Sequence, residues 1–316
     1  MGIASLEVSP LLAHDTDSTL RAAKELYART TSPNLLIIFP GTTEGLPAIE
    51  EAIFAWIPVN VTLLFSREQY LAAAEAFLRG VERRIAAGLN PNVPSVASVF
   101  VSRWDAAVAA KAPEALRNRL GIAVAMRTYQ AYRSLLDSPR WQRVYNAGAR
   151  PQRLLWASTG TKDPKASDIL YVKALAAPFT VNTMPEATLK ARAIHTELGS
   201  ILPADGGDCE GVLAQFAKAG IDIDVLASQL QDEGAKSIRQ IVERADGSDR
   251  LEERCDPEDR SSRIDLLQIL RQTGPTADYW HRGIGFNSSA AHSKIWNAEL
   301  ANLLWPLKRP ISFIIS

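Results

Sequence analysis

Net charge is absent from this 316-residue chain: 35 lysines and arginines stand against 35 aspartates and glutamates. A neutral chain sets up no global field to draw in nucleic acid or an anionic membrane, so neither is expected as a partner. Cysteine is scarce. Cys209 and Cys255 lie far apart and suggest neither a metal knuckle nor a disulfide scaffold; two free thiols of a reducing compartment are expected. No apolar run approaches the roughly 20 residues of a membrane span. The opening MGIASLEVSP lacks the basic start and apolar stretch of a signal peptide, and a cytoplasmic location is expected. Internal repeats, dinucleotide-binding glycines, a P-loop and zinc-ligand spacing are all missing, and no metal or cofactor is expected.

What is present is organised around Asn34 to Ser66. Leu35 to Phe39 is a continuous apolar run, as in a strand buried on both faces of a parallel sheet. Pro40-Gly41 ends it, and Leu46, Ile49, Ile53 and Trp56 then recur at helical spacing. Val59 to Phe65 reads as the next strand. Asn60 and Thr62 lie two apart, so both point to one face of it. Polar side chains on a buried strand near its carboxyl end are what the catalytic face of a parallel barrel requires.

Around this core, Gly2 to Val8 reads as a strand whose one charged residue, Glu7, is either a satisfied structural carboxylate or a catalytic one. Asp15 to Ser18 caps a helix, with His14 in the preceding turn as a cap or loop contact rather than a general base. Ser95 to Val101 is a strand with Ser98, Phe100 and Ser102 on one face. Arg103 follows at its mouth, either in a surface ion pair or gripping a phosphate. Residues 104–147 are helical. Arg153 to Ser158 is a strand leading into a loop of small residues whose amides, with Lys162, suit an anion. Phe179 to Met184 is the last strand counted.

Several runs carry a family resemblance. SLEVSPLLAHDT, NLLIIFPGT with VNVTLLFS, and above all LLWASTGTKDPKASDILYVKALAAPFTVNTMPEATLKA resemble the transaldolases, and residues 102–142 resemble an insertion of the branch also found fused to glucose-6-phosphate isomerase. The resemblance implies a TIM-type (β/α)8 barrel of the class I aldolase kind. It also implies transfer of a dihydroxyacetone unit from sedoheptulose 7-phosphate to glyceraldehyde 3-phosphate, a step of the pentose phosphate pathway, through a lysine imine. Site roles follow residue by residue: Glu7 would order a catalytic water, Asn60 and Thr62 would handle proton and water, and Ser98 and Arg103 would bind the substrate phosphate, with Lys162 as a further phosphate contact. The family pattern N-L-x-I-K-[IV]-P-[AG]-T places its imine-forming lysine at position 38, where this chain has Ile38.

About six strand–helix units are counted from Gly2. The family carries two earlier strands, one with a proton-moving aspartate, so a barrel with its first two strands missing is expected. Its open edge would then be covered by the tail, a homo-oligomer or a partner chain. The expected organisation is a partial barrel over 1–244, a charged linker over 245–261 and an unassigned tail over 262–316. Alternatives to the enzyme are a non-catalytic protein that still binds sugar phosphates or a partner, and a truncated gene product.

Overall fold

The structure, a computed structural model, describes residues 3–8, 12, 15–30, 34–194, 200–252 and 311–314. His14, Cys255, Trp280, Trp296 and Trp305 lie outside the described residues. The chain divides into two units, Met1–Arg239 with Pro310–Ser316, and Gln240–Arg309. All the strands and the candidate site belong to the first.

That unit is built on six parallel strands lying side by side in chain order: β1 (Ile3–Glu7), β2 (Leu35–Pro40), β3 (Val59–Leu64), β4 (Ser95–Phe100), β5 (Arg153–Ala157) and β6 (Thr180–Asn182). Helices α1 (Thr16–Ala28), α2 (Gly45–Phe54) and α3 (Arg67–Ala86) make the first three crossovers. Between β4 and β5 run α4 (Ser102–Val108), α5 (Leu120–Asp137) and α6 (Pro139–Asn146). After β5 come α7 (Leu170–Ala174), β6, α8 (Glu186–Ile194), α9 (Cys209–Lys218) and α10 (Ile223–Glu252). The result is α/β, a half-barrel of the TIM type.

Local chemistry accounts for these elements. All six residues of β2 are buried, as its unbroken apolar run requires of a strand covered on both faces. Asp15 caps α1 by accepting from the Ser18 amide at 3.0 Å. Ser66 and Gln69 form a reciprocal capping box at the start of α3, an arrangement worth about 1 kcal/mol. The outer core packs β3 against the helices: Leu63, Phe65, Trp104, Leu120, Phe216 and Leu230 share one cluster. Inside the curve of the sheet, Leu36, Val96, Leu155 and Val181 form a second.

Two stretches depart from the reading of the sequence. Helix α10 runs on to Glu252, through the first residues of the expected linker; residues 253–261 lie outside the described residues. In the stretch expected to be an unassigned tail, β7 (Ile311–Ile314) pairs antiparallel with β1, from Ile3 opposite Ile314 to Leu6 opposite Ile311. Of the covers expected for the β1 edge, it is the chain's own tail that takes it.

Candidate active site at the carboxyl ends of the strands

Register sets Glu7 beside Ile38 and Ile38 beside Asn60. Because alternate residues of a strand share a face, Ser5 lies with Glu7, and Thr62 with Asn60. The sheet curves enough for side chains of non-adjacent strands to meet. Asn60 Nδ2 donates to Ser5 Oγ at 3.1 Å, reaching past β2, and Ser98 Oγ donates to Asn60 Oδ1 at 2.7 Å. The three are buried at 0%, 6% and 4% exposure for Ser5, Asn60 and Ser98, so each polar group is satisfied by the next. Ile38, 6% exposed, belongs to β2, the strand that this row crosses.

Glu7 is half-buried, and burial pushes its carboxyl up to about 7. Among the described residues nothing donates a hydrogen bond to it. Thr62 is also half-buried, and its hydroxyl makes no hydrogen bond among the described residues. Its carbonyl accepts from the Gly41 amide at 2.8 Å, joining the ends of β2 and β3. Past Val61 the pairing of β3 with β4 shifts register, and Leu63 takes a left-handed backbone, φ 61°. Such a bulge re-aims side chains, and a leucine there is strained.

Arg103, placed by the sequence at a strand mouth, sits in the first turn of α4. Its guanidinium lies 5.5 Å from the centre of the Phe100 ring and makes no hydrogen bond or ion pair among the described residues. Phe100 is two residues beyond Ser98, on the same face. Ser102 turns away from that face: its hydroxyl meets that of Ser158 at 2.9 Å and its amide donates to the Ser158 carbonyl at 3.0 Å, tying the ends of β4 and β5. Lys162 is exposed in the loop after β5, and nothing among the described residues joins it to Ser98 or Arg103.

The structure therefore gathers Glu7, Ile38, Asn60 and Ser98 on neighbouring strands. Ser5 was missed in the sequence, although its place two before Glu7 put it on the same face. Among the described residues no group of carboxylates, histidines and cysteines could hold a metal ion, and no helix is long and apolar enough to cross a membrane.

Parallel strands wrapped by helices, with polar side chains collected at the carboxyl ends, define a TIM-type α/β protein. Within that class, a family model of transaldolase/fructose-6-phosphate aldolase matches residues 1–247. Curated relatives agree. The transaldolase of a Parafrankia strain is 45% identical over 246 residues, 75% of this chain and 67% of its own length. Transaldolase 1 of Streptomyces avermitilis is 45% identical over 241 residues, 73% and 64%. That of Thermobifida fusca is 44% identical over 256 residues, 77% and 70%. The chain belongs to the transaldolase/fructose-6-phosphate aldolase family, and its match spans about two thirds of the length of these relatives.

Proposed function

We propose that the chain binds a sugar phosphate at the carboxyl ends of its strands and forms no imine at position 38. The observation that carries this reading is the contrast between two positions. Ile38, where the family resemblance puts the imine-forming lysine, is apolar and 6% exposed. An imine needs an amine, which neither isoleucine nor any backbone group supplies. Arg103 instead keeps a guanidinium without an ion pair among the described residues, suited to a phosphate's oxygens. Ser98 serves the phosphate end through the hydrogen-bonded row, and Glu7 handles a water or proton near neutral pH.

A second reading is the family reaction itself, transfer of a dihydroxyacetone unit between sugar phosphates, as the names of the relatives suggest. The carboxyl of Glu7, poised near 7, favours it. It requires an amine other than residue 38, and Lys162 is the candidate. Borohydride reduction in the presence of fructose 6-phosphate separates the two. We expect no covalent adduct; an adduct mapped to Lys162 would favour turnover. Calorimetric titration with fructose 6-phosphate should show binding that Arg103→Ala weakens by roughly tenfold or more. Equal affinity in the variant would remove the binding reading.

A further inference from the structure

The mouth between β2 and β3 is held from outside the sheet. Gln231, in the third turn of α10, donates through Nε2 to the carbonyl of Gly41 at 3.1 Å and to that of Leu63 at 2.9 Å. These two carbonyls flank the link already described, in which the Gly41 amide donates to Thr62. One side-chain amide therefore closes a ring through Gly41, Thr62 and Leu63. Three residues further along α10, Gly234 sits so close to Leu63 that an added Cβ would lie 2.7 Å from Leu63 Cδ2, and 3.9 Å from an Arg103 guanidinium nitrogen. The absence of a side chain there lets the helix descend onto the bulge. Ala227 and Leu230 of the same helix pack in the cluster that holds the Leu63 side chain.

This arrangement explains how Leu63 keeps its left-handed backbone. A strained residue persists where its surroundings over-determine it. Here the carbonyl is bound by Gln231, the side chain is buried at 2% exposure, and the register shift leaves no regular ladder to compete. We infer that Gln231 is a positioning residue: it sets the bulge of β3, and through it the direction in which Thr62 faces the site. Its effect on a sugar phosphate rests on the binding proposed above, while its effect on the bulge does not.

The test is Gln231→Met, which keeps the length of the side chain and its place in the helix but removes both donors. Amide exchange at Gly41 and Leu64 is expected to rise at least tenfold, with amides of β4 and β5 unchanged. Affinity for fructose 6-phosphate is expected to fall about tenfold while that for inorganic phosphate, which reports only on the anion grip, stays the same. A purely structural role would lower both affinities together or speed exchange throughout the sheet, and either result overturns the inference, as does unchanged exchange at Gly41. Should the wild type bind no fructose 6-phosphate, the proposed function falls, and the exchange comparison still decides the role of Gln231. Should Gln231→Met fail to fold, native-state exchange of the wild type in low urea replaces it. Opening of Gly41 together with the first turns of α10 supports the clamp, and independent opening overturns it.

Discussion

At position 38 a branched apolar side chain lies in register between Glu7 on one strand and Asn60 on the next. Replacing it with lysine would set an amine between a carboxyl raised to about 7 and a buried amide. Burial would depress the amine's pKa and favour its neutral, nucleophilic form. Ile38→Lys is therefore expected to give a borohydride-trappable adduct with fructose 6-phosphate, seen by mass spectrometry as absent from the wild type. A folded variant with no adduct would show that substrate does not reach residue 38.

Glu7 also makes stability depend on pH. Unfolded, its carboxyl titrates near 4.5, whereas in the fold it titrates near 7. Between those values the native state keeps a proton that the unfolded chain has lost, so the contribution of Glu7 favours the fold most below 4.5 and declines as pH rises toward 7. Asp105, pushed by burial to about 6 from 3.8, adds a slope of the same sign over a lower window. Glu7→Gln should remove its own share, on the order of 3 kcal/mol for a fully buried acid and less for this half-buried one. Urea unfolding at pH 5 and pH 8 checks it: the variant should gain on the wild type as pH rises. Glu7 was legible as a charged residue in an apolar strand, but its lack of a donor among the described residues was not, because that depends on what the rest of the chain brings near it.

At the scale of elements, the start of α1 was legible, because a cap is set by residues three apart, Asp15 with Ser18. The contacts that lock one element to another were not. Asp105 on α4 accepts from the amides of Leu120 at 2.9 Å and Gly121 at 3.2 Å, the first residues of α5, and from the hydroxyl of Tyr171 on α7 at 2.9 Å. A single carboxylate thus satisfies one helix start and pins a second helix, across 15 to 66 residues of sequence. Only a glycine fits at 121, since an added Cβ would lie 2.5 Å from the Val101 carbonyl oxygen and 2.8 Å from Asp105 Oδ2. Asp105→Ala should leave three buried donors without an acceptor and cost about 3 kcal/mol or more, read as a lower urea midpoint. Asp105→Asn, which keeps one acceptor oxygen, should cost less. Equal stability in the alanine variant would show that water replaces the carboxylate.

For the molecule as a whole, the order of parallel strands followed from the alternation of apolar runs and amphipathic helices, but the finish of the sheet did not. Six parallel strands leave an edge at β1, and an unpaired edge invites pairing with another chain. The amides of Ala4 and Val8 donate toward β2, to the carbonyls of Asn34 and Ile38, so by alternation the amides of Ser5 and Glu7 face the other way. On that side β7 runs antiparallel, with Ser312 opposite Ser5. Its sequence, Ile-Ser-Phe-Ile, is β-branched and aromatic at three of four positions, which suits a strand. Nothing in so short a run says which of the sheet's edges it joins, which is why the pairing was not legible. If β7 is what covers this edge, deleting residues 310–316 frees the outward amides of β1. Exchange at Ser5 should then rise at least tenfold while Ala4, still bonded to Asn34, changes little. The freed edge should also pair with a second copy, giving a weight-average mass in sedimentation equilibrium that climbs with concentration, where the full chain's does not. Unchanged exchange at Ser5 would show that the tail contributes no protection, and that the edge of the half-barrel is guarded by something other than its own C-terminal strand.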